Sequence, residues 1–187
     1  DPMFPRLASF LDSPRYLIDI GCGYGVPAVW LLSSFPQTTV YGFDPDHRRV
    51  AIAARAFGDR GAAAVGKAPD LPAICPDQVD TVLMLDMIHL ISDDELRLML
   101  LRLHDRIVAE GRLVLRTTIP FRKPVPWLRR IEEWRLKALH LTPHFRSSEE
   151  VTTLLSEAGF IVELKEPTAS DREETWFICR RSGRGHC

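Results

Sequence analysis

The chain has 187 residues, 45% of them hydrophobic and 26% charged, with 24 Lys and Arg against 25 Asp and Glu. That is the length and composition of one globular domain with a core of its own, which excludes a disordered or collagen-like chain. No apolar run approaches the roughly 18 residues needed to cross a bilayer, and no basic-then-apolar leader opens the sequence.

Hydrophobic pattern and punctuation predict alternating strands and helices. Residues 16–20 are apolar and run straight into glycines, a buried strand. Residues 26–35 are apolar nearly all round and stop at Pro36, a buried helix. A β-branched and aromatic strand spans 38–43 and meets Asp44-Pro45; a helix spans 47–57 and closes at Gly58. After a short strand at 62–65 and a Pro-rich loop at 68–76, residues 79–85 read as a central strand. Leu96, Leu100, Leu103 and Ile107 form a helical stripe over 93–108, ended by Gly111, and 112–117 is the next strand. Residues 124–141 predict an amphipathic helix with Trp127, Ile131, Trp134, Ala138 and Leu141 on one side. Ser147 and Glu150 make a capping box for another helix, and strands at 160–165 and 175–179 close the chain. Alternation implies an α/β fold with a mainly parallel sheet covered on both faces, its last two strands pairing antiparallel. The expected unit is a single domain over 1–181 with a disordered tail at 182–187. Because the sequence begins Asp1-Pro2, we read it as an excised or processed piece of a longer chain. Cys22, Cys75, Cys179 and Cys187 show neither a CxxC pair nor a metal-ligand spacing. They read as reduced thiols of a cytoplasmic protein, and no metal site is expected.

Asp19-Ile20-Gly21-Cys22-Gly23-Tyr24-Gly25 falls where a strand ends and a helix begins. Glycines there permit a tight turn and the close approach of a ligand to backbone at a helix N-terminus. A dinucleotide needs G-x-G-x-x-G/A. Counted from Gly21 the third position is Val26, which fails; counted from Gly23 it is Ala28, which passes. A carboxylate at Asp19 would repel a pyrophosphate and attract an ammonium group. S-adenosylmethionine, with a cationic amino-acid end and an adenosine end, therefore fits better. Asp44, 19 residues after Gly25, is placed to accept both ribose hydroxyls of an adenosine, a feature that both cofactors would use.

With these residues the sequence resembles the class I S-adenosylmethionine-dependent methyltransferases of small-molecule type. The segments 19–25, 41–45, 80–90 and 110–115 match that family's ordered motifs over roughly residues 7–180. The resemblance implies a three-layer α-β-α sandwich with a seven-stranded sheet of order 3-2-1-4-5-7-6, its seventh strand antiparallel. It also implies an S-adenosylmethionine site. Asp19 would orient the methionyl amino group, Gly21, Cys22 and Gly23 would let the cofactor lie on the turn, and Asp44 would hold the ribose. Pro45 would border the adenine, and Leu85 would lie near the methionine. One departure is Lys67, where many relatives carry an acid; lysine cannot accept a hydrogen bond from adenine, which leaves the Ala68 backbone or Asp70 for that contact.

The segment 85–90 lacks the Asn/Asp-Pro-Pro-Tyr/Phe sequence of base-amine methylases. His89 is a candidate base because its ordinary pKa is near neutrality, with Asp86 as the alternative; a capping or packing role for His89 competes with this. Between residues 112 and 146 nine Lys and Arg face two acids, a local charge of +7 in a chain of net charge −1. The resemblance makes about 120–146 an acceptor lid. Trp127, Arg130 and Trp134 would meet a small acceptor with an apolar body and an anionic group, free or carrier-linked. Core packing for the tryptophans and solvation for the arginines is the competing reading. The alternatives in function are an RNA methyltransferase, disfavoured by the overall charge, an NAD-dependent oxidoreductase, and a non-catalytic cofactor-binding domain of a larger protein or complex.

Overall fold

Parallel strands buried on both faces read as continuous apolar runs, and residues pointing to opposite faces alternate along them. The computed structural model describes residues 3–120, 143–169 and 173–183 and follows that rule. Its strands are β1 (Tyr16–Ile20), β2 (Thr39–Asp44), β3 (Gly61–Val65), β4 (Val79–Leu85), β5 (Ile107–Thr118), β6 (Phe160–Pro167) and β7 (Glu174–Arg181). They form one sheet of order β3-β2-β1-β4-β5-β7-β6. β1, β2, β3, β4 and β5 run parallel, and β7 is antiparallel to both β5 and β6. This is the expected order.

The helices are α1 (Met3–Ser9), α2 (Val26–Ser34), α3 (His47–Phe57), α4 (Asp93–Arg106) and α5 (Ser148–Glu157). Ile18, Val82, Leu113 and Phe177 face a core shared with α4 and α5. Their neighbours Leu17, Leu83, Val114 and Trp176 face a second core shared with α1, α2 and α3. Capping boxes start α4 at Ser92 and Glu95, and α5 at Ser147 and Glu150; each cap contributes about 1 kcal/mol.

Three sequence-based boundaries are corrected. The helix expected to reach residue 108 stops at Arg106, and β5 starts at once with Ile107 instead of at residue 112. Gly111 thus lies inside a strand and ends no helix. A Cβ there would come within 2.7 Å of the Asp80 carbonyl and of Ile107 Cγ2, so glycine lets β5 pass close to β4 where their register shifts. At the other end, Ser182 is no part of a free tail, because its amide and hydroxyl both donate to the Gly159 carbonyl, at 2.9 and 2.6 Å. The helix expected over 124–141, with Trp127, Arg129, Arg130 and Trp134, lies outside the described residues.

Candidate functional site

In a sheet of this order the chain leaves β1 toward β2 on one side and later returns to β4 on the other. The crevice at the carboxyl ends of β1 and β4 is the topological switch point where open α/β sheets bind ligands. A cavity of about 370 Å³ lies there, and its lining includes Gly21, Asp44, Pro45, Lys67, Ala68, Leu85 and Asp86. Those seven residues were all legible as site candidates in the sequence.

The turn after β1 is built by backbone that only glycine adopts cheaply: Gly21, Gly23 and Gly25 have φ of +70, +53 and +77°. The amides of Gly21 and Cys22 both donate to the Phe43 carbonyl, at 2.9 and 3.0 Å. Asp44 fastens the turn further: its Oδ2 accepts from the Gly23 amide at 3.1 Å and its Oδ1 from the Asp46 amide at 2.9 Å. Each oxygen keeps a lone pair for a ligand hydroxyl. Asp46 in turn caps α3, accepting from the amides of Arg48 and Arg49 at 2.8 and 3.3 Å, bonds that hold its carboxyl below the usual range.

Asp19 is 2% exposed, and its Oδ2 has no hydrogen-bond partner among the described residues. Burial first, and the neighbouring Asp44 second, push its pKa up to about 7. A buried carboxylate oxygen without a partner is costly, and this one belongs to the residue just before Ile20 and Gly21, which line the cavity. Cys22 is buried as well, its thiol pushed up to about 12 by burial and then by Asp19 and Asp44. It serves as a small apolar residue against Gly42, where a Cβ would meet its Sγ at 3.0 Å. Asp19, Cys22 and Gly23 thus underlie the turn and are not among the residues that line the cavity.

Asp86 takes φ +54°, a left-handed conformation that Asp tolerates better than most residues. Arg116 grips both of its oxygens, Nε at 3.0 Å from Oδ1 and Nη2 against Oδ2, and lies 5.2 Å from the Trp176 ring. His89 sits in the 3-10 turn Ile88–Leu90, its ring stacked on Phe145 at 5.8 Å and 13°. It is not a lining residue, whereas its neighbours Met87, Leu90 and Ile91 are. Asp70 is paired with Arg102, whose Nη1 lies 2.7 Å from its Oδ1, and is not a lining residue, whereas Ala68, the other group expected to meet an adenine, is.

Arg49 and Asp46 also line the cavity and were missed in the sequence, because nothing distinguishes them from an ordinary exposed first helical turn. The basic excess over 112–146 is reduced by the fold. Arg112 donates to the Phe10 carbonyl, Arg116 holds Asp86, and Arg146 is 6% exposed with its guanidinium spent on internal acceptors. Among the described residues no group of three His, Cys, Asp or Glu could hold a metal ion, and no helix is long and apolar enough to cross a membrane.

A family model described as a methyltransferase domain matches residues 2–165. None of the curated proteins matches the sequence. Among solved structures, the chain is similar to a mitomycin 7-O-methyltransferase, with 22% identity and a TM-score of 0.77, covering 95% of this chain and 52% of that one. It is similar to an S-adenosylmethionine-dependent methyltransferase from Mesorhizobium loti, with 18% identity, a TM-score of 0.77, and 97% and 98% of the two chains covered. Human N-acetylserotonin methyltransferase in complex with S-adenosylmethionine gives 18% identity and a TM-score of 0.72 over 96% of this chain and 51% of that one. The chain thus spans about half the length of two of these and nearly all of the third.

Proposed function

The chain belongs to the methyltransferase domain family, and from that premise we propose that it binds S-adenosylmethionine in the cavity beside Asp44 and methylates a small-molecule acceptor. The carrying observation is the buried Asp19 carboxylate with an unpartnered oxygen beneath a glycine turn. A ligand ammonium group satisfies that oxygen, whereas a pyrophosphate would face it with like charge. Of the three carboxylates in the lining, Asp86 is paired with Arg116 and Asp46 with Arg49, which leaves Asp44 to meet a ligand's hydroxyl groups. NAD, the competing ligand, fits this floor poorly.

When bound, the sulfonium supplies an already activated methyl group. The residues then have to hold the two partners in line. Asp44 accepts ribose hydroxyls, Gly21 and Gly23 leave room along the turn, Ala68 and Pro45 border the adenine, and Leu85 with Met87 flanks the methionine end. Asp86 has both oxygens engaged by Arg116, a bidentate pair that leaves it poorly placed to meet an acceptor. His89 is the remaining candidate for receiving an acceptor proton. Calorimetric titration tests the reading: saturable binding of S-adenosylmethionine and S-adenosylhomocysteine with none of NAD is expected, and the reverse pattern would end it.

The glycine turn gives a sharper check. A Cβ at Gly23 would meet nothing within 4 Å, while one at Gly25 would sit 2.6 Å from the Phe57 ring. Gly23→Val is expected to cost about 1–2 kcal/mol of backbone strain and to abolish cofactor binding by filling the ligand's path. Gly25→Ala is expected to cost roughly 2–4 kcal/mol from strain and overpacking. Thermal melts and titration of both variants separate the two effects; wild-type affinity in Gly23→Val would mean that the turn does not face the ligand.

The acceptor carries an apolar body and an anionic group, a reading that rests on Trp127, Arg130 and Trp134 in the sequence. Solved relatives named for methylating small molecules agree with the class. An Arg129→Glu/Arg130→Glu double variant is expected to keep cofactor affinity and lose turnover of an anionic acceptor. Wild-type turnover at low salt, where charge is least screened, would remove those arginines from the site.

A further inference from the structure

Residues 87–91 form much of one cavity wall, through Met87, Leu90 and Ile91; Met87, Ile88 and Ile91 are packed into the core, but the backbone of the segment makes few hydrogen bonds of its own. It is a single 3-10 turn, with Leu90 N to Met87 O at 2.9 Å and Ile91 N to Ile88 O stretched to 3.4 Å. Met87 also presses on the glycine turn, where a Cβ at Gly21 would come within 3.2 Å of it. A shift of this turn would therefore deform the cavity and carry His89 with it.

Its polar support comes from three consecutive residues far along the chain. The His144 amide donates to the His89 carbonyl at 2.7 Å, and Phe145 stacks on the His89 ring. The buried Arg146 reaches both ends of the turn: Nη1 donates to Ile88 O at 2.7 Å and Nη2 to Ile91 O at 2.8 Å. Its Nε is 2.8 Å from Asp93 Oδ1, and Nη1 also donates to His144 O at 3.2 Å. Only a planar guanidinium offers donors in this spread; a lysine ammonium is a point charge that could serve one end of the turn.

We propose that Arg146 is a positioning residue of the site, a clamp that fixes the 87–91 wall and the orientation of His89. Its activity arm rests on the methyl-transfer reading above; its structural arm does not. Arg146→Lys keeps the charge and removes the fork, so it separates positioning from bulk electrostatics. In ligand-free protein the imidazole Cε1–H signal of His89, assigned with His89→Gln, is expected to be shielded by the stacked Phe145 ring. Arg146→Lys is expected to move that signal toward its free-peptide position, to weaken S-adenosylmethionine roughly threefold or more, and to lower turnover roughly tenfold or more. Asp93→Asn, which weakens only the partner of Nε, is expected to shift the signal the same way by less, and it carries the test if Arg146→Lys does not fold. A folded Arg146→Lys that melts lower but keeps the wild-type His89 signal, affinity and turnover would make Arg146 a stability residue only and overturn the proposal; so would an unmoved signal in both variants. Failure of the wild type to bind S-adenosylmethionine would count against the functional reading, while the His89 signal would still decide the clamp.

Discussion

Affinity for S-adenosylmethionine is expected to fall about tenfold per pH unit on going below pH 7, reaching roughly a hundredfold by pH 5. The group responsible is Asp19, whose pKa is raised to about 7 by burial and by Asp44. A ligand ammonium needs the ionised carboxylate, so below that pH binding must first remove a proton. The sign for stability is opposite to that of an ordinary carboxylate. The unfolded chain releases this proton near 4, so the ligand-free fold holds it through the interval from about 4 to 7. From this group alone the ligand-free protein loses stability as pH rises through that interval. The loss is complete above pH 7 and on the order of 4 kcal/mol. A bound ammonium relieves it, so cofactor should raise the melting temperature more at pH 8 than at pH 5. Asp19→Asn is expected to flatten both dependences and to bind weakly at every pH. Calorimetry across pH 5–8 would decide; a wild-type profile as flat as that of Asp19→Asn would remove Asp19 from the cofactor site.

Asp44→Ala is expected to weaken S-adenosylmethionine by tenfold to a hundredfold, from the loss of charge-assisted acceptance worth roughly 1.5–3 kcal/mol. Two structural losses add to it, since the amides of Gly23 and Asp46 lose their acceptor. The same variant makes a second, independent statement. Asp44 is one of the two causes that raise Asp19, so its removal should move the midpoint of the pH dependence downward. Unchanged affinity in a folded variant would take Asp44 out of the ribose role. Lost affinity with an unmoved midpoint would show that the two carboxylates do not interact.

Much of the sheet was legible because its strands are short apolar runs set off by Gly and Pro, and both layers of helices cover it. The sequence also exposed the glycine turn, since three glycines at alternate positions have few uses other than positive φ, and all three adopt it. It misjudged the junction at residue 107. Ile107 and Val108 continue a helical stripe as well as they begin a strand, and pairing with β4 settles the matter.

What one-dimensional pattern leaves open is whatever depends on partners distant in sequence. Asp86 and His89 read equally well as bases, yet only the fold brings Arg116, thirty residues on, against Asp86, and lays Phe145 on His89. Arg146 counted as one of a crowd of surface cations until the structure placed it among the Ile88, Ile91 and His144 carbonyls. The orphaned oxygen of Asp19 is of the same kind. Sequence supplies the carboxylate at the end of β1. That no donor among the described residues reaches it and that Asp44 lies near enough to repel it follow from tertiary packing, because desolvation and charge repulsion are set by what surrounds a group in space.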